Sequence, residues 1–269
     1  MRTLVHMSDL HFGHIDARTL QPLSRLIESL EPHLVVVSGD LTQRARPWQF
    51  RDARAFLDTL PRPQIVVPGN HDIPLVNVWK RFASPLEGFR SIIARDVEPF
   101  YVDEEIAVMG LNTARSLTWK AGRLNEEQLA KARARLAPLP SSLVKIVVTH
   151  HPFDVPPGGD ENDVVGRSRL AMAVFAAAGA DLFLSGHLHV SHTARTADRY
   201  PIEGRSALVI HAGTAVSTRQ RDEGNSFNVL RLEAGTLTLV RFDWDPDQGA
   251  FLPEPEERYA RGTRGWESA

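Results

Sequence analysis

Cysteine is absent from the 269 residues. Disulfides, thiolate-held zinc, iron–sulfur clusters and a thiol nucleophile are therefore excluded, and any metal must be held by nitrogen and oxygen donors. A charge excess is missing as well: 31 Lys and Arg stand against 33 Asp and Glu, a formal net charge of -2. Bulk attraction to nucleic acid or to an anionic membrane has no electrostatic basis in that balance, beyond what a local patch could supply. No apolar run approaches the ~18–20 residues of a membrane helix. The opening MRTLVHMSDL carries one basic residue and reaches Asp9 before a signal-like core can form. These absences predict a soluble, cytoplasmic protein with no transmembrane segment and no stable nucleic-acid partner, and they leave the oligomeric state open.

What is present is an alternation of short β-rich runs and helical stretches. Strands are predicted at Thr3 to Met7, Leu34 to Ser38, Ile65 to Val67, Ile106 to Leu111, Lys145 to Thr149 and Asp181 to Ser185. Between them, Arg18 to Glu31, Trp48 to Leu60, Glu126 to Leu136 and Arg169 to Ala178 carry helical spacing, with Asn125 and Gln128 forming a capping-box pattern. The class is α/β. After Ser206 only strand and turn patterns remain: Ala207 to His211, then Phe227 to Leu232 and Thr236 to Phe242 joined by Glu233-Ala234-Gly235 as a hairpin. With no linker or repeat, one domain over residues 1–245 is expected, followed by a loosely ordered polar tail, 246–269. Ile73 to Phe100, broken by prolines, reads as a packed subdomain, and Asp154 to Gly166 as a surface loop. Each directly follows a His-containing motif, so a lid or substrate wall is the second reading.

Five polar clusters each fall just past a predicted strand: Asp9-Leu10-His11, Gly39-Asp40, Gly69-Asn70-His71-Asp72, His150-His151 and Gly186-His187-Leu188-His189. Strand ends are where α/β sheets place ligands. In Asp9-x-His11 and His187-x-His189, extended chain would point both side chains the same way, so each pair could converge on a metal. Singly, each cluster has an ordinary explanation, since a strand-end Asp commonly caps the next helix. Five together, in a chain with 11 His, are hard to obtain from capping and core packing.

In their order these motifs resemble those of the calcineurin-like metallophosphoesterase superfamily, D-x-H, G-D, G-N-H-[DE], H and G-H-x-H, all without substitution. The spacing and the Gly213-Thr214-Ala215 segment look most like the bacterial cyclic-nucleotide phosphodiesterase branch. The resemblance implies a four-layer α/β/β/α sandwich of two mixed sheets flanked by helices. It implies that Asp9, His11 and His189 hold one metal, that Asn70, His150 and His187 hold another, and that Asp40 bridges. The cofactors would be two divalent or mixed-valence transition-metal ions, drawn from Mn, Fe, Zn, Co or Ni.

Two divalent ions, two carboxylates and a bridging hydroxide would leave the site near roughly +1, matched to a monoanionic diester. The implied activity is a metal-dependent phosphodiesterase on a small phosphodiester, of cyclic-nucleotide or glycerophosphodiester type, with attack by the metal-bridging hydroxide. His71, outside the ligand set, would be catalytic by serving the leaving oxygen. Asp72 is expected to cap rather than to orient His71. His14, Asn112, His192 and His211 flank the motifs, and Arg115, Arg219 and Arg221 could meet a phosphate. Other functions in the superfamily set the alternatives. A pyrophosphatase on a nucleotide-linked lipid precursor would need an apolar wall, for which Trp79, Phe82 and Phe89 are available. A nuclease would need added basic elements, and a non-catalytic scaffold would have lost ligands that are all retained here.

Overall fold

The short apolar runs become strands. In a computed structural model describing residues 1–200, 206–219, 223–233 and 235–269, they are, in chain order, β1 (Arg2–Met7), β2 (Leu34–Val37), β3 (Gln64–Val66), β4 (Phe100–Val102), β5 (Ile106–Gly110), β6 (Val144–Val148) and β7 (Leu182–Ser185). β8 (His192–Arg195), β9 (Leu208–His211), β10 (Ser226–Glu233), β11 (Thr236–Asp245), β12 (Ala250–Pro253), β13 (Glu257–Gly262) and β14 (Gly265–Ser268) follow. The helices are α1 (Ala17–Ser29), α2 (Pro47–Leu57), α3 (Val78–Ala83), α4 (Glu126–Leu136), α5 (Ser168–Ala178) and α6 (Thr196–Arg199).

The strands make two mixed sheets. One runs β14-β13-β11-β10-β1-β2-β3, with β12 also on β11, and the other runs β4-β5-β6-β7-β9-β8. The period-two burial explains the layers, because alternate residues of one strand serve two different cores. Leu4, Val36, Val108 and Ile146 pack between the sheets with Leu184, Leu230 and Trp266. Val5, Met7, Val35 and Val37 face outward onto Leu23 and Ile27 of α1 and Phe50 and Phe56 of α2. On the other side Ala107, Met109 and Val147 face Leu129, Ala132 and Phe175 of α4 and α5. The result is the expected α/β/β/α sandwich, and strands covered on both faces read as continuous Val/Ile/Leu runs for that reason.

Local signals act as anticipated at α4, where Asn125 accepts from Gln128 N at 2.8 Å and Gln128 Oε1 accepts from Asn125 N at 3.0 Å. β10 and β11 pair antiparallel from Ser226↔Asp243 to Glu233↔Thr236, and Ala234 of the expected turn lies outside the described residues. The tail is a correction. Residues 246–269 are not loosely ordered, since β12, β13 and β14 extend the first sheet and bury Phe251, Tyr259 and Trp266. Their polar composition concealed three apolar anchors spaced for an edge hairpin. In Ile73 to Phe100, the second half packs into the core through Leu86, Phe89, Ile93 and Val97, whereas Val76 to Phe82 lies largely at the surface. No helix among the described residues is long and apolar enough to cross a membrane.

Candidate metal centre

Parallel strands bring the five motifs to one edge of the sandwich. β1, β2 and β3 run parallel and release Asp9, Asp40 and Asn70 at their C-terminal ends, while parallel β6 and β7 release His150 and His187 from the facing sheet. The backbone there is not extended, contrary to the expectation for the two x-spaced pairs. Asp9, His11, Asp40, His187 and His189 have φ of 54°, 49°, 52°, 74° and 61°, in the left-handed region that side chains with a Cβ seldom occupy. Each such residue costs about 1–3 kcal/mol and persists only where its surroundings enforce it. Here the enforcement is a set of cross-links: Asp9 N donates to Gly39 O at 3.1 Å, His11 N to Asp40 O at 2.9 Å, and His187 N to Asp9 Oδ2 at 2.9 Å. Close approach also explains two glycines. A Cβ on Gly69 would lie 2.1 Å from Asp40 Oδ1, and one on Gly186 would lie 1.8 Å from Ser8 Oγ.

The left-handed turns place His187 and His189 in different halves of one buried cluster, while Asp9 and His11 share a half. In the first half, His189 Nε2 lies 3.2 Å from Asp9 Oδ1 and 3.2 Å from His11 Nε2. In the second, His150 Nε2 lies 3.0 Å from Asn70 Oδ1 and 3.3 Å from His187 Nδ1. Asp40 Oδ2 stands between them, 3.8 Å from His11 Nε2 and 3.4 Å from His150 Nε2. Burial alone would raise both carboxyls, but the imidazoles of His189 and His11 around Asp9, and of His150 and His71 around Asp40, hold them well below the usual carboxylate range. Burial lowers His11 and His187. At His150 burial is overcome by Asp40 and Asp9, which carry it up to about 9.

The outer atoms of the imidazoles fix which nitrogen faces inward. His150 Nδ1 donates to Ser38 O at 2.8 Å and His189 Nδ1 to Arg219 O at 3.0 Å, so each turns its Nε2 to the cluster, where a proton or a metal ion can sit. His187 Nε2 faces Asp163 Oδ1 at 3.5 Å, leaving Nδ1 inward. Asp163, on the Asp154 to Gly166 loop, gave no motif signal in the sequence. Inward-facing imidazole nitrogens meeting one another at 3.2–3.3 Å, and a buried Asp9 Oδ1 with no hydrogen-bond partner among the described residues, call for protons or metal cations among them. Groups of three such ligand atoms, Asp9-His11-His189 and Asp9-Asp40-His150 among them, lie within 4.8 Å of one another. Imidazole, carboxylate and amide donors in this number fit transition-metal ions.

His71 sits at the rim of the cluster. Its Nδ1 donates to Gln43 O at 2.9 Å, and its Nε2 accepts from Arg219 Nη1 at 3.0 Å and lies 4.0 Å from Asp40 Oδ2. His71, His11 and Asp40 also form a three-residue group within ligand distance. Asp72 takes no part in orienting that ring. It accepts from Leu41 N, Thr42 N, Thr42 Oγ1 and Gly69 N and so braces the Asp40 turn, with burial and nearby Asp40 pushing its carboxyl up to about 7.

His151 accepts from Thr113 Oγ1 and donates to Lys120 O, which engages both its nitrogens while its ring packs 4.6 Å from that of His187. The other flanking residues serve elsewhere. His192 lies 3.7 Å from Asp154, Asn112 and Arg115 join a network with Gln128, His211 is buried beside His192, and the backbone carbonyl of His14 accepts from Thr218 N. Arg221 lies outside the described residues.

The calcineurin-like phosphoesterase family model matches residues 2–191. The glycerophosphodiester phosphodiesterase GpdQ of Enterobacter lignolyticus is 39% identical over 82 residues, 26% of this chain and 29% of that protein. The probable glycerophosphodiester phosphodiesterase GpdQ of Arcobacter nitrofigilis is 27% identical over 166 residues, 59% of this chain and 57% of that one. The chain thus spans less than two thirds of the length of either curated relative. Among solved structures, purple acid phosphatase PPD1 of yellow lupin aligns with a TM-score of 0.71 at 14% identity, covering 94% of this chain and 52% of that one. A dimetal phosphatase of Danio rerio gives 0.62 at 15% identity, covering 94% and 98%. At those identities the likeness is one of fold, the two-sheet sandwich. With its model covering most of the chain and all five motifs gathered at one edge of that sandwich, the protein belongs to the calcineurin-like phosphoesterase family.

Proposed function

We propose that the chain is a dinuclear metal-dependent phosphodiesterase acting on a small phosphodiester of glycerophosphodiester or cyclic-nucleotide type. The observation that carries this reading is Asp40, whose Oδ2 stands between the two halves of the cluster, 3.8 Å from His11 Nε2 and 3.4 Å from His150 Nε2. Asp9, His11 and His189 would hold one ion, Asn70, His150 and His187 the other, and Asp40 both. When bound, the two ions supply polarisation of the phosphoryl oxygens and a water acidified towards about pKa 7.

The chain's own residues do the remaining work. Ser38 O and Arg219 O keep the Nε2 atoms of His150 and His189 aimed inward. The Arg219 guanidinium offers a planar fork to the non-bridging oxygens of an ester. His71 serves the leaving oxygen. Because its Nδ1–H is committed to Gln43 O and its Nε2 accepts from Arg219, it donates at Nε2 only after taking up a proton and parting from the guanidinium. Similarity to the two GpdQ proteins supports a diester substrate, and Gly213-Thr214-Ala215 keeps cyclic nucleotides in view.

The test is kcat/KM of the Mn-reconstituted protein on bis(p-nitrophenyl) phosphate against p-nitrophenyl phosphate. Glycerophosphodiesters, cyclic nucleotides and nucleotide-linked lipids follow in a panel. Preference for the diester is expected, and a clear preference for the monoester would overturn the reading.

A further inference from the structure

Two segments far apart in sequence present their apolar side chains to solvent as one surface. Val76, Val78, Trp79 and Phe82 come from α3 and the turn before it, and Leu117 and Trp119 from the loop after β5. These six are most of the exposed large hydrophobic residues among those described, with Trp79 82% and Trp119 67% exposed. Single exposed apolar residues are ordinary, whereas a contiguous group marks a contact surface. The two segments are pinned together by Arg81, a buried cation that donates to Ser116 O at 2.7 Å, Thr118 O at 2.6 Å and Pro74 O at 3.2 Å, with its guanidinium 5.5 Å from the Trp119 ring centre. The protein has therefore built this surface as a unit.

The two segments themselves carry charge of one sign, although Glu87 lines the same hollow as Val76 and Lys80. Residues 73–86 and 113–125 contain no Asp or Glu, although the whole chain is nearly neutral, and each segment places an exposed lysine directly after a tryptophan: Trp79-Lys80 and Trp119-Lys120. Tryptophan favours the headgroup level of a bilayer, and lysine beside it lays its stem along the apolar surface while its ammonium reaches anionic headgroups. A second copy of the same face would set these lysines against one another instead. The surface adjoins the metal centre, since Lys120 O accepts from His151 Nε2 at 2.6 Å and the His151 ring packs 4.6 Å from that of His187.

We propose that this face docks the protein on a bilayer surface containing anionic lipid. The local basic patch supplies the electrostatic attraction that the overall charge does not, and the inference does not depend on the phosphodiesterase reading.

The experiment is co-sedimentation of the 269-residue chain with vesicles of phosphatidylcholine alone or of phosphatidylcholine mixed with phosphatidylglycerol. Wild-type protein is expected to sediment with the anionic vesicles, roughly tenfold more weakly with the neutral ones, and less as salt rises. A W79E/W119E variant should lose at least about tenfold in binding, and a K80E/K120E variant should lose binding to anionic vesicles to a similar degree. Both variants alter exposed side chains, and an unchanged circular-dichroism spectrum and thermal unfolding midpoint would verify that they fold. Wild-type protein remaining in the supernatant with anionic vesicles would overturn the proposal. So would unchanged binding by both variants, or a lipid-free dimer that W79E/W119E dissociates, which would make the face an interface between copies. Vesicle binding by a wild-type protein that turns over no diester would leave docking standing and remove the catalytic reading alone.

Discussion

Arg219 donates through Nη1 to His71 Nε2 at 3.0 Å while its own carbonyl, on the same residue, accepts from His189 Nδ1 at 3.0 Å. One residue thus touches both the inner ligand cluster and the histidine at its rim. Arg219→Ala removes the guanidinium but keeps the carbonyl, so metal content should be preserved. A hydrogen bond to a charged group is worth about 1.5–3 kcal/mol, so kcat/KM should fall roughly 10- to 100-fold. Elemental analysis and steady-state kinetics on the same preparation check this. Unchanged kcat/KM would show that the guanidinium meets neither His71 nor the ester in turnover.

His71→Ala should cost roughly 10²- to 10⁴-fold on an alkyl diester, whose alkoxide needs a proton, and much less on a nitrophenyl ester, whose phenolate leaves unaided. Equal losses on both substrates at full metal content would instead assign His71 to stabilising the phosphoryl oxygens. Lost metal would make it a ligand, a role its place beside His11 and Asp40 allows.

Two buried histidines outside the cluster predict an acid limit to stability. Burial holds His6 and His211 down to about 3. An unfolded histidine titrates near ~6.5. Between those values the unfolded chain binds more protons than the folded one, so stability rises with pH there. The contribution is complete above about pH 6.5 and is lost progressively as pH falls towards about 3. Urea unfolding of the metal-free protein from pH 7 to pH 4 should show this decline. His211→Phe, which gives up no hydrogen bond because both ring nitrogens lack a partner among the described residues, should make it shallower. An equal slope in the variant would remove His211 as a contributor.

The sandwich was legible because each central strand is covered on both faces, which forces unbroken runs such as Leu34 to Val37 and Ile146 to Val148 between turn signals. The seven polar residues of the cluster were legible because strand ends fix them in sequence as short motifs. What was not legible depends on contacts between distant segments. Asp163 reaches His187 from a loop without a motif, and Arg219 reaches His71 from 148 positions away. The left-handed backbone at Asp9, His11, His187 and His189 overrode the extended geometry that their spacing suggested, because cross-links such as His187 N to Asp9 Oδ2 outweigh local preference. At the C-terminus, polar residues outnumber Phe251, Tyr259 and Trp266, yet those three bury enough apolar surface to hold an edge of the sheet.

The most direct measurement is metal stoichiometry in Asp40→Ala. After Mn reconstitution and dialysis, elemental analysis should find two ions per chain in the wild-type protein. In the variant both sites should be largely empty, because the carboxylate between His11 and His150 serves both halves. One ion per wild-type chain at saturation, or unchanged occupancy in Asp40→Ala, would contradict a shared dinuclear centre.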